Sequence, residues 1–266
     1  MQDHDKPEED ILRQEIKVAQ EELEILIELL DLEEHSKSGN PTPRAKLYRL
    51  RIDDHYYETP LSELTGRQIL GLASKTPEGY NLRQRFRGGR VEPIAADQVV
   101  DLRKHGVERF ITIPKENTDG EDSLHPSTGS NGVGTNTITP RRDFALREVD
   151  ADYLDANYAG WETIMDGQAP YVVLNAFPIP AGYNHQIAQV AISMSSGYPV
   201  APLDMMFFFP SLAKANGRPI NALAEMTICG KLWQRWSRHY AWRAGVDDLS
   251  THIERIKTWL DNDLLK

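Results

Sequence analysis

The chain has 266 residues, 40% hydrophobic and 26% charged, with a formal net charge of −10 at neutral pH. This is the composition of a globular protein with room for one large domain or two smaller ones, and the negative balance argues against a general affinity for nucleic acid or anionic membrane. A single cysteine excludes an internal disulfide, and no apolar leader opens the chain or runs to the roughly 18–20 residues of a membrane span, so the expected location is the cytoplasm.

Residues 8–35 lack glycine and proline and follow Pro7, a residue suited to a first helical position. Leu12, Ile16, Ala19, Leu23, Leu26 and Leu30 recur at alternating four- and three-residue spacings. That pattern predicts an N-terminal helix with an apolar seam, and with it self-association or a partner groove. "SKSGNPTP" (36–43) reads as a break and linker, closing a first segment over 1–43.

A second unit spans 44–114. "KLYRLRI" and "YYETPL", joined at "DDH", predict a β-hairpin. "TGRQILGLAS" predicts a short helix with Ile69, Leu70, Leu72 and Ala73 inward. "YNLRQRF" and "ERFITI" predict strands, the latter with Phe110 and Thr112 on the face opposite Ile111 and Ile113. Gly88 and Gly89 read as turn residues. The order is that of a ubiquitin-like β-grasp. "LTGRQILGLA", "YNLRQRFRGG" and "VVDLRKHGVERFITIP" resemble the bacterial multiubiquitin family. A ubiquitin-like modifier is activated through a free C-terminal glycine, whereas here the Gly-Gly pair is internal and another strand follows it. Residues 115–143 are rich in Gly, Ser, Thr and Asn and predict a flexible linker.

The third unit, 144–266, opens with "REVDADYLDANY", read as a helix with Val149, Tyr153 and Leu154 inward. "APYVVLNAFPIP" and "HQIAQVAISMS" predict strands. "GYPVAPLDMMFFFP" combines a proline-fixed turn, expected at a sheet edge, with an apolar strand. An irregular segment carries Cys229, and Val246, Leu249, Ile253, Ile256 and Leu260 mark the inner face of a closing helix that Asp247 and Asp248 would start. Trp233, Trp236 and Trp242 read as packing residues.

This order resembles the ubiquitin-conjugating enzyme fold. Tyr198, Pro199 and Pro202 match that family's Tyr-Pro-x-x-Pro motif, "TICGKL" stands where its active cysteine lies, and "WRAGVDDLSTHI" is similar to its tryptophan before a helix. The wording looks most like the prokaryotic family E. Where the family carries His-Pro-Asn, this chain has Arg218, Pro219, Ile220 and Asn221, without the histidine and with the asparagine displaced.

The expected fold class is therefore α+β: an N-terminal helix, a β-grasp domain and a ubiquitin-conjugating-enzyme-like domain. Cys229 is the candidate catalytic residue. An unpaired cysteine is more often a small buried hydrophobe, and an ordinary thiol is only a few per cent thiolate at neutral pH. Lys231, Arg235, Arg238 and His239 lie within ten residues and offer positive potential, and Gly230 leaves room for a bulky acyl group. Rival nucleophilic arrangements are a Cys229–His239 pair and a hydroxyl such as Ser237. The resemblance implies a ubiquitin-like modifier, a ThiF-like activating enzyme and a JAB-type metalloprotease as partners, and no cofactor or metal for this chain. It leaves two further readings: a catalytically inactive scaffold that recruits these partners, and a precursor whose own ubiquitin-like domain is released and conjugated.

Overall fold

The computed structural model describes residues 27–115, 118–119, 139–203 and 205–266. Residues 8–26 of the helix expected over 8–35, the self-association assigned to that helix and most of the 115–143 linker lie outside the described residues.

The N-terminal domain is a mixed sheet over a short helix. β2 (Ala45–Ile52) and β3 (His55–Thr59) form the expected hairpin, β8 (Val107–Pro114) runs parallel to β2, and β5 (Tyr80–Phe86) and β6 (Val91–Ile94) complete the order β3-β2-β8-β5-β6. β4 (Glu63–Thr65) pairs with β7 (Val99–Asp101) and leads into helix α2 (Gly66–Leu72). Thr65 and Gln68 cap α2 reciprocally, and Ile69 and Leu70 enter a core of Leu50, Ile52, Leu82, Phe86 and Phe110. This is the predicted β-grasp.

The structure corrects one N-terminal expectation. Ile27–Asp31 is not helical but forms strand β1, parallel to β2, and only then does helix α1 (Leu32–Ser38) begin, capped by Asp31. β8 meets β2 at Ile52↔Phe110, leaving the first half of β2 free on that side, where β1 pairs from Ala45 to Arg49. An available strand edge outweighs local helical spacing, because main-chain pairing and burial of Leu30 are gained together.

Beyond the brief β9 (Thr118–Asp119), the C-terminal domain opens with helix α3 (Glu148–Asn157). β10 (Glu162–Asp166), β11 (Ala169–Pro178), β12 (Ile187–Ser193), β13 (Met205–Phe209), β14 (Leu223–Ile228) and β15 (Lys231–His239) then form a sheet ordered β10-β11-β12-β13-β15-β14, with β9 against the end of β15. Helix α4 (Leu249–Leu265) closes the fold. Tyr153, Val172, Val190, Phe208, Trp236, Ile253, Ile256, Trp259 and Leu260 share its main core. Val149, expected inward, is 40% exposed, and Asp150 beside it is fully buried. The Tyr-Pro-x-x-Pro turn lies between two interior strands rather than at an edge. There Tyr198 Oη donates to Asp150 Oδ1 at 2.8 Å and accepts from Leu249 N at 2.7 Å, and Trp242 Nε1 donates to Pro199 O at 2.9 Å. The turn thus bolts α3 to the start of α4. No helix among the described residues is long and apolar enough to cross a membrane.

Helix α4 is buried on two sides. One side enters the C-terminal core; the other meets the outer face of β5 and β8. Arg83 Nε donates to Glu254 Oε2 at 2.8 Å, Arg109 Nη2 to Asp248 Oδ2 at 2.9 Å, and Asn81 Nδ2 to Thr258 Oγ1 at 3.2 Å. Arg85 adds Ser250 Oγ at 3.3 Å and the Val149 carbonyl at 3.2 Å. A second junction forms at the β2–β3 turn, where buried Asp53 accepts from Thr112 N, Thr112 Oγ1 and Lys75 of its own domain and pairs with Arg243 of the other at 3.0 Å. Gly89 packs so closely on α3 that a Cβ there would sit 2.6 Å from the Asp152 carbonyl carbon.

Burial alone would raise the carboxyls of Asp53, Asp248 and Glu254, but the facing cations and hydrogen bonds outweigh it and hold all three below their ordinary values. A depressed folded pKa gives stability that is complete above the unfolded values of about 4 and lost as pH falls through the folded ones. The domain interface should therefore fail first in acid: chemical denaturation midpoints should be level down to about pH 4.5 and drop below it.

Glu254→Ala should cost about 3–5 kcal/mol in urea unfolding, because Arg83 and Lys257 lose the carboxylate that both address. The paired change Arg83→Met with Glu254→Met should recover most of that loss, since well-packed apolar residues replace a buried pair at little cost.

Candidate active site

The segment around Cys229 is a regular hairpin, not the irregular stretch expected. Leu223–Ile228 and Lys231–His239 pair from Leu223↔Trp236 to Ile228↔Lys231, leaving Cys229 and Gly230 as a two-residue turn. Their φ values are 48° and 74°. Two successive positive φ angles define the type I′ turn that suits strand twist and ordinarily takes Asn-Gly. A cysteine there carries roughly 1–2 kcal/mol of left-handed strain.

Cys229 is free and exposed, and a Cβ at Gly230 would meet nothing within 4 Å. Its side chain is thus chosen neither for the turn nor for the core.

The hairpin curls over the sheet's outer face. Ile228 and Trp233 join Ile164, Tyr171, Val173, Ala191 and Phe207 in a separate buried cluster, which brings the turn to β10 at the opposite margin. There Cys229 Sγ donates to Met165 O at 3.7 Å, and Arg141 Nη1 stands 3.9 Å from Sγ. Arg141 belongs to the 141–143 segment, which hydrogen-bonds along β10: Thr163 N donates to Arg141 O and Asp143 N to Thr163 O, each at 3.0 Å. Asp143 orients the guanidinium through a short ion pair while accepting from Met165 N at 2.8 Å. The Met165 amide and then Arg141 hold the Asp143 carboxyl below its usual range. Asp143 in turn, with a smaller contribution from Cys229, raises Arg141.

The cation beside the thiol is therefore Arg141, which sequence reasoning left in the linker. Lys231 Nζ is committed to Gln189 Oε1 at 2.8 Å and lies over the Phe209 ring. Asn221 and His239 sit at the far end of the hairpin, about 25 Å of strand from the turn. A Cys229–His239 pair is thus excluded by geometry, and Asn221 is too distant to act on the thiol. Ser237 is 3% exposed and lies 3.3 Å from His239 Nε2, at that same far end. Two clefts at the domain junction, of about 220 and 520 Å³, are lined by residues such as Arg85, Glu108 and Val149; Cys229 lines neither.

With this geometry in place, residues 48–115 match the family model described as Multiubiquitin, and residues 146–263 match that described as Prokaryotic E2 family E. The chain is a fusion of a multiubiquitin-like domain and an E2-like domain. Searches of the curated proteins and of the solved structures return no match.

If the cysteine is not there for the fold, replacing it should not harm the fold. Cys229→Asn should leave the unfolding free energy unchanged or raise it by up to about 1 kcal/mol of relieved turn strain, read in urea denaturation. A clear loss of stability would return Cys229 to a structural role.

Proposed function

We propose that the protein is a conjugating enzyme that accepts a ubiquitin-like modifier on Cys229 from a ThiF-like activating enzyme and passes it to an amine. The observation that carries this reading is a free, exposed thiol held in a turn that prefers another residue, with a cation beside it, in a domain of the E2-like family. In the first step the thiolate of Cys229 attacks the acyl carbon of the donor thioester. The new C–S bond forms as the donor C–S bond breaks, and the departing thiolate takes up the proton that Cys229 gave up. In the second step an amine attacks the same carbon, an amide forms, and the amine proton ends on Sγ. Met165 O is a hydrogen-bond acceptor for Sγ, and Arg141 offers charge to the attacking sulfur and to the oxyanion of the tetrahedral intermediate. ATP is consumed by the activating enzyme, so this chain requires no cofactor.

The ubiquitin-like domain serves in this reading as a fixed part of the enzyme. Its Gly88–Gly89 pair is internal, and releasing the domain would uncover Asp248 and Glu254 on α4 without their arginines. A scaffold reading is favoured by one feature: the thiol stands on a hairpin tip, with Asn221 far from it.

Incubation with activating enzyme, modifier and ATP decides between them. Wild type should form an adduct that thiol reductant removes, and Cys229→Ser one that it does not; partner binding without any adduct would support the scaffold. An adduct persisting on Cys229→Ala would direct attention to Ser237. Arg141→Ala should slow charging about two- to fivefold, the yield of an exposed charge contact.

A further inference from the structure

Strand β14 is one margin of the C-terminal sheet and runs directly into Cys229. The turn fixes which of its backbone groups are free. Ile228 and Lys231 flank a two-residue loop and so exchange hydrogen bonds; by alternation Met226 with Trp233 and Ala224 with Arg235 do the same. Ser237 N continues this pattern, donating to Ala222 O at 3.2 Å. The N–H and C=O groups of Leu223, Glu225 and Thr227 consequently face away from β15. Among the described residues no strand pairs with them, whereas the opposite margin, β10, is covered by residues 141–143.

An open strand edge templates the pairing of another chain, and proteins ordinarily blunt it with proline, lysine or a bulge. β14 reads Leu-Ala-Glu-Met-Thr-Ile, with a single charge at Glu225 and none of these, in unbroken register with β15. Glu225, Met226 and Thr227 are exposed.

We propose that this edge receives the extended C-terminal tail of the modifier as an added strand, which delivers the tail's terminal carbonyl to Cys229. The proposal rests on the reading of Cys229 as acyl acceptor and says how the acyl chain reaches it. Direction follows from chemistry. β14 runs toward the thiol, so only a tail parallel to it ends in its carboxyl group there; an antiparallel tail would present its amino end. Leu223 to Thr227 covers about 13 Å, enough for four or five tail residues. Recognition through main-chain groups asks for an extended, glycine-ended tail more than for a given sequence, with Glu225 favouring a basic side chain beside it. The open space at Gly230 lets the tail's end turn onto Sγ.

Synthetic peptide thioesters test this on the full chain without an activating enzyme. One probe is a β-prone peptide of about six residues ending in Gly-Gly; the other is the Gly-Gly thioester alone. Both acylate Cys229 by the exchange written above, and intact-mass spectrometry gives the rates. The longer probe should react at least about tenfold faster, from a few added backbone hydrogen bonds. N-methylation of one alternating set of its amides should abolish that gain, and of the other set should not. Glu225→Pro and Thr227→Pro should also abolish it, with melting temperature and iodoacetamide alkylation of Cys229 unchanged; should these variants misfold, the N-methyl series decides alone. Equal rates for both probes would overturn docking at the edge and leave Cys229 as acceptor intact. A gain that survives N-methylation of each set in turn would overturn it as well. Failure of the native activated modifier to charge Cys229 is the separate result that would overturn the acceptor reading itself.

Discussion

Helix α4 is the member on which the rest of the structure depends. A surface helix shows one apolar stripe to a core and one polar face to water. Here the apolar stripe of Leu249, Ile253, Ile256 and Leu260 enters the C-terminal core, and the polar face is also removed from water. What makes this tolerable is charge matching: Asp248 and Glu254 point at Arg85, Arg109 and Arg83, which rise from the outer face of the β-grasp sheet. Buried charges of this kind contribute little net stability as pairs, but any one left alone is severely destabilising. The two sheets are therefore bound to a common helix by a condition each must satisfy for the other.

That condition shapes what the ubiquitin-like domain can do. Its β5–β8 face is occupied by α4, its Gly-Gly turn is pressed against α3, and its last strand passes into a longer chain. In the proposed reading the chemistry is left to the other end of the C-terminal sheet, where a hairpin curls across the outer face to set a thiol beside β10 and Arg141. The placement separates an ion-paired body from an exposed thiol at the tip.

β2, β3, β5 and β8 were legible because each alternates around one apolar face, and the closing helix because its apolar spacing follows two aspartates that suit a helix start. What alternation could not show is whether a polar face meets water or a complementary charge. Asn81, Arg83 and Arg85 form the polar side of "YNLRQRF", yet Arg85 is 3% exposed. Ile27–Asp31 was misread because spacing carries no information about a vacant edge on a distant strand. The Cys229 hairpin was missed for a chemical reason: Cys-Gly is an unusual pair for a type I′ turn, although "LAEMTI" and "KLWQRW" flank it with strand-like residues. Cys229 itself was legible as a singular residue, and Arg141 was hidden because the Gly- and Ser-rich composition around it marks a linker and says nothing of where that linker ends.

The central claim is that the ubiquitin-like domain in this chain is part of the enzyme and that a separate modifier is its cargo. Intact-mass spectrometry of every product in a reconstituted conjugation reaction tests this most directly. All 266 residues should remain one chain, with each adduct weighing a second protein's modifier. A fragment ending between residues 115 and 138, joined to another protein, would contradict the account.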